Sequence, residues 1–184
     1  IKIIEKFLKN THYDTIDNDG MGDCFFFTIR DAFQSIGQHT TVDILRNKIS
    51  AQVTVETFDT YTDQYNMFNA CIDETTRESI ILKTKKESLK KQMENALGDG
   101  ERNRIMKEST EIDEQYKELK NQNEVSKELL KDFKFMKHVQ NVRDFRNVVK
   151  TPVFWADVWA IGLLEVLLNI KFIILSGDSY RDQN

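Results

Sequence analysis

Two stretches of the chain place apolar residues at the 3.6-residue period of an amphipathic helix, and a third reads as a strongly apolar helix. In residues 25–37, Phe25, Ile29 and Phe33 recur at i, i+4 and i+8, and Phe26, Ala32 and Ile36 widen the stripe. Gly37 is suited to stop that helix, because glycine adopts the left-handed conformation of a C-terminal cap without strain. In residues 41–55, Val42, Leu45, Ile49 and Val53 form a second stripe, with Thr40 or Thr41 as its cap. In residues 157–168, Trp159, Leu163, Val166 and Leu167 point inward and Asn169 ends the helix. Residues 171–175, Lys-Phe-Ile-Ile-Leu, read as a buried strand, and Thr11 to Ile16 are also rich in strand formers. Ile3, Ile4, Phe7 and Leu8 suggest a helical turn or a strand at the front of the chain.

Between these parts the pattern thins. Residues 58–71 are polar and aromatic, with no clear period. From Asp73 to about Phe133 the chain is dominated by Lys, Glu, Asn and Gln. Leu82, Leu89 and Ala96 form one sparse heptad-like row with Met93 beside it, and Ile105, Ile112 and Leu119 form another with Tyr116 beside it. Gly98-Asp99-Gly100 separates the rows, which predicts an antiparallel helical hairpin with its tip there. Its first helix, of about 22 residues, would reach roughly 33 Å. So narrow a stripe buries little beyond its own seam, so the hairpin is expected to project from the core. Leu129, Phe133, Met136, Val139 and Phe145 restore core-like hydrophobicity before the single proline, Pro152. The expected organisation is one α+β domain over residues 1–184, a small central sheet flanked by helices, carrying a charged arm at residues 73–135.

Composition narrows the function classes. With 184 residues, 40% of them hydrophobic and 30% charged, the chain has enough apolar material for a core. A net charge of −4 gives no support for a nucleic-acid partner. No stretch has the roughly 18 consecutive apolar residues that a bilayer span requires. The two cysteines, Cys24 and Cys71, do not make a disulfide framework, and in a reducing, cytosol-like compartment both would be free thiols. No Cys/His cluster has zinc-ligand spacing and no phosphate-binding loop is present, so no metal or cofactor is expected.

The informative string is Asp19-Gly20-Met21-Gly22-Asp23-Cys24-Phe25-Phe26. It puts a thiol between a glycine-containing loop and a helix start. The positive end of the helix dipole stabilises a thiolate there, and glycines allow backbone N–H groups to converge on an oxyanion. From position alone, a buried packing cysteine is the commoner case. The string as a whole resembles the cysteine loop of the ovarian tumour (OTU) family of deubiquitinases. Met21 stands where the tighter form of that motif has Asp. A second segment, Phe154-Trp155-Ala156-Asp157-Val158-Trp159 with the helix and strand after it, resembles the family's Trp-containing loop. Together the two cover about half of the chain.

The resemblance implies a papain-like fold, with Cys24 as nucleophile and the backbone of Met21, Gly22 and Asp23 as oxyanion donors. Asp19 and Trp155 would line the cleft, and ubiquitin or polyubiquitin would be the partner of a monomeric enzyme. The family's general base is normally a late histidine, and no histidine follows Leu175. His12, in Thr11-His12-Tyr13-Asp14, resembles the family's terminal His-Tyr-Asp string moved to the front, which implies a circularly permuted member. On a strand, His12 and Asp14 would share a face, so Asp14 could orient the imidazole. An ordinary surface or edge-strand histidine is the plainer reading of His12. His39 and His138 read as structural or exposed, and Cys71 as packing. The alternatives are a conventionally ordered enzyme whose histidine lies beyond residue 184, a ubiquitin-binding module without catalysis, and another papain-like peptidase or acyltransferase. A secreted bacterial or viral effector acting in a host cytosol is a further expectation from the family. The charged arm could add a ubiquitin contact, or be a solvated insertion or a surface for self-association.

Overall fold

The computed structural model describes residue 9, residues 17–18 and residues 21–175. They form α1 (Cys24–Ser35), α2 (Val42–Gln52), α3 (Val55–Asn95), α4 (Asp99–Asp132), a 3₁₀ turn (Lys134–His138), α5 (Val142–Val149) and α6 (Val158–Leu168). Of the described residues 77% are helical and none is in a strand, so the expected α+β class with a central sheet is replaced by an all-helical one. Residues 171–175, expected as a buried strand, are irregular, with Ile173 78% and Ile174 67% exposed. Their β-forming composition is a preference that only a pairing partner can realise, and the described residues supply none. The other expected strand, residues 11–16, lies outside the described residues.

The chain divides into two compact units. The first comprises the described residues up to Val53 together with those from Arg143 to Leu175. Its core is Phe26 and Ile29 of α1, Leu45, Ile49 and Val53 of or just after α2, Phe145 and Val149 of α5, Phe154, and Ala160 and Leu164 of α6. The helix limits follow from local chemistry. The hydroxyls of Thr41 and Thr54 accept the N–H groups of Ile44 and Thr57, and the Asp157 carboxylate accepts that of Ala160. Gly37, with φ of +78°, follows α1, and Asn169, with φ of +51°, follows α6. On α6 the inward face is Ala160 and Leu164, while Val166, expected inward, is 79% exposed. A helix that is apolar nearly all round carries no periodic signal to say which side is covered.

The second unit, residues 54–142, is a helical hairpin whose turn runs from Ala96 to Gly98. Leu89, Ala96, Ile105 and Ile112 form its buried seam, with Leu82 and Met93 packed against them. The first helix of the hairpin starts at Val55, well before the composition changes at Asp73. Tyr61 and Phe68 meet Phe133 at ring separations of 6.0 and 5.5 Å, and Tyr61 meets Phe135 at 6.1 Å. Further along, a polar layer crosses the seam. The Asn123 side-chain amide donates to Thr75 Oγ1 at 2.7 Å and to the Ile72 carbonyl at 3.1 Å, and Ser126 Oγ lies 3.1 Å from Cys71 Sγ.

Candidate active site

Cys24 is the first residue of α1 and its side chain is exposed. The two residues before it are held in unusual ways. Gly22 is buried with φ of +87°, a conformation that glycine alone adopts readily. A Cβ placed on it would lie 2.1 Å from the Pro152 carbonyl oxygen, so the backbone of the turn before Phe154 presses directly on the glycine. Asp23 has φ of −111° and ψ of 3°, in the sparsely allowed bridge region common at active sites. Its carboxylate makes no capping bond to the first turn of α1.

That carboxylate belongs instead to Arg46. Arg46 is 1% exposed and every face of its guanidinium fork is used. Nε donates to Asp23 Oδ1 at 2.8 Å. Nη1 donates to the carbonyls of Val149 at 2.8 Å and Phe154 at 3.1 Å. Nη2 donates to the carbonyls of Gly22 at 3.0 Å and Phe154 at 3.1 Å, and lies 2.6 Å from Asp23 Oδ1. The flat cation also stacks 4.2 Å above the Phe26 ring. One side chain on α2 therefore ties the cysteine loop to the turn that carries Pro152 and Phe154. Burying a cation is costly, and it is tolerable here because each donor finds an acceptor. Trp155, next to Phe154, is 64% exposed, and Met21 is 94% exposed.

The helix behind Cys24 is braced from its other side. Thr28 Oγ1 donates to the Cys24 carbonyl at 2.9 Å and accepts from Asn18 Nδ2 at 3.0 Å. Phe172 lies 4.9 Å, ring to ring, from Phe25. Phe172 is itself fixed by Glu165, whose carboxylate accepts the Phe172 N–H and the Lys171 ammonium, both at 2.9 Å. The hydrogen bond from Lys171, with that from Phe172 and the Lys171 charge, holds the Glu165 carboxyl below its ordinary value, against a smaller opposing effect of burial. A carboxyl depressed in the folded state stabilises the fold above its unfolded pKa, and that stabilisation disappears as pH falls through the folded value. Glu165→Gln is therefore expected to lower the melting temperature at neutral pH. The gap to wild type should close in acid below the usual glutamate range, as read in a melting series against pH.

The structure brings Cys24, Gly22, Asp23 and the Trp155 turn into one assembly. His12, Asp14 and Asp19 lie outside the described residues. His39 and His138 are exposed, and among the described residues no group of three or more His, Cys, Asp or Glu could hold a metal ion. No helix among them is long and apolar enough to cross a membrane. Arg46 escaped the sequence reading because it stands beside Leu45 on the edge of an apolar stripe, where a long cation is expected to reach solvent. Ser50, four residues on, is also buried and donates to the Arg146 carbonyl at 2.9 Å, and no sequence signal marks either residue. Comparison of the chain with family models, with curated proteins and with solved structures finds no match.

Proposed function

We propose that the chain is a cysteine-type deubiquitinase with Cys24 as nucleophile. The observation that carries this reading is an exposed thiol at an uncapped helix start, on a loop braced by the Gly22–Pro152 contact and by Arg46. Withdrawing the Asp23 carboxylate toward Arg46 leaves the first-turn N–H groups of α1 without an anionic side chain. Such groups favour an anion, here the oxyanion of a tetrahedral intermediate. The choice of ubiquitin rests on the resemblance of the residue 19–26 and 154–159 strings to the OTU family.

In the proposed reaction His12 accepts the Cys24 proton, and Asp14 orients its ring. The sulfur attacks the carbonyl of the substrate's terminal glycine, forming a C–S bond while the carbonyl π electrons move to oxygen. Collapse of that intermediate breaks the C–N bond, and the imidazolium gives its proton to the departing lysine amine. Water, deprotonated by the same imidazole, then releases the acyl group and regenerates the thiol. The test is labelling by ubiquitin carrying an electrophile at its C-terminus. Wild type is expected to form a covalent adduct, Cys24→Ala none, and His12→Ala adduct at least about a hundredfold more slowly, within the range of general-base effects. Absence of a wild-type adduct with ubiquitin binding retained would leave a binding module in place of an enzyme.

A second reading is favoured by the contact of Phe172 with Phe25, which brings the segment after α6 to the residue next to Cys24. There the base is a histidine of a longer chain, following Leu175 in the family's usual order. Full activity of His12→Ala in a longer form of the protein selects that reading.

A further inference from the structure

The outer face of the hairpin carries a charge pattern that complements itself. On α3, Lys83, Glu87, Lys90 and Glu94 follow at intervals of four, three and four, so they form one row along the helix. All four are exposed. Among the described residues none of them enters an ion pair, although Lys83 Nζ lies 5.4 Å from the centroid of the Tyr116 ring, and the neighbouring Lys85 and Lys86 pair with Glu108 at 2.9 Å and with Asp113. Ile80, three residues before the row on α3, is 59% exposed, and Leu97, in the turn just after the helix, is 99% exposed. The row therefore reads apolar, positive, negative, positive, negative, apolar. Reversed, it presents the opposite charge at every charged position.

The row borders a groove along the tip half of the hairpin, where Met93 and Met106 offer apolar surface above the buried seam residues Leu89 and Ile105. Met106 is 60% exposed. Exposed ion pairs add little affinity by themselves, so a partner needs this apolar surface, while the charges select its orientation.

We infer that this face of the hairpin docks a second copy of the chain, with the two α3 helices antiparallel about a twofold axis between positions 88 and 89. Lys83 then faces Glu94 of the second copy, Glu87 faces Lys90, and Ile80 faces Leu97. Each contact occurs twice, as a closed twofold interface requires. A parallel or shifted arrangement sets like charges against each other, which costs association. The inference is independent of the deubiquitinase reading and departs from the single-chain enzyme expected from the sequence.

Sedimentation equilibrium of the full chain, from micromolar to near-millimolar concentration, tests it. Wild type is expected to show a monomer–dimer equilibrium that weakens as salt rises. Glu87→Lys with Glu94→Lys makes the row wholly basic, and Lys83→Glu with Lys90→Glu makes it wholly acidic. Each variant alone should associate at least about tenfold more weakly, because like charges then meet at every position. An equimolar mixture of the two should associate again, as a heterodimer. All four positions are exposed, so circular dichroism should show unchanged helicity. A wild-type chain that stays monomeric throughout overturns the inference and leaves the groove to a helix of another protein. Charge-reversed variants that associate as wild type does, or a mixture that fails to associate, overturn it as well.

Discussion

Arg46→Ala is expected to lower the melting temperature by more than about 10 °C, the largest single-residue effect outside the apolar core. The substitution removes a buried hub from all its partners at once. The carbonyls of Gly22, Val149 and Phe154 and the carboxylate of Asp23 all lose their donor. Removing one member of a buried ion pair typically costs about 3–5 kcal/mol, because the remaining charge stays behind without compensation. In a unit of this size each kcal/mol shifts the midpoint by several degrees, so the total exceeds about 10 °C. Water entering the vacated space would rescue part of this, since Asp23 is 22% exposed at its side chain and can rehydrate. The three carbonyls are bonded by a side chain that is 2% exposed, so they cannot rehydrate as readily. Arg46→Lys should fall between the two, because an ammonium offers three donors from one point and cannot span the fork's acceptors. Thermal melts followed by near- and far-ultraviolet circular dichroism measure the effect. A midpoint within about 2 °C of wild type for Arg46→Ala would mean that the network stabilises the fold very little.

Gly22→Ala should damage both stability and the reactivity of Cys24. Two independent effects act at this position. Alanine at φ of +87° carries a conformational cost of about 1–2 kcal/mol. Its methyl would also lie 2.1 Å from the Pro152 carbonyl oxygen, and that neighbour is backbone with no rotamer to change. The turn before Phe154 must therefore open, and with it the Phe154 carbonyl leaves Arg46. The loop two residues before the thiol moves by a sizeable fraction of an ångström, a scale that can cost about a hundredfold in a positioned reaction. The expected result is at least about a hundredfold slower labelling of Cys24 by the ubiquitin electrophile. Gly37→Ala provides the contrast. Gly37 has a similar φ of +78°, but nothing lies within 4 Å of its Cβ position, so only the conformational cost applies. If Gly22→Ala and Gly37→Ala melt alike and label alike, the Pro152 contact has no role in shaping the loop.

Some of this architecture is readable from short-range periodicity. The stripe of Phe25, Ile29 and Phe33 corresponds to α1, whose limits are Cys24–Ser35. The stripe of Val42, Leu45 and Ile49 corresponds to α2, and Thr41 caps it. The rows through Leu89 and Ile105 meet in the hairpin seam. Ile29, Leu45, Ile49, Leu89 and Ile105 become fully buried, whereas Phe25, Phe33 and Val42 are half-buried and Ile36 is exposed, so spacing places the helix and only roughly its covered side. The reading fails where burial is decided at long range. Tyr61 and Phe68 look like parts of an irregular stretch because their partners, Phe133 and Phe135, stand more than sixty residues away. The Lys-Phe-Ile-Ile-Leu run has a strand's composition, but a strand exists only when another strand hydrogen-bonds to it. At the site, the glycine loop and Cys24 are visible as a string, whereas Arg46 and the carbonyl of Pro152 are not.

What the sequence by itself determined is the set of helices that amphipathic spacing and caps define locally, the hairpin, and a cysteine at a helix start. What only the tertiary structure decided is that the described residues form no sheet, that a charged residue on α2 is buried, and that Pro152 rests against Gly22. The division has one physical cause. Helix hydrogen bonds and caps close within about four residues, so neighbouring side chains report them. Burial of Arg46 depends on acceptors at residues 22, 23, 149 and 154, which become neighbours only once the chain has folded.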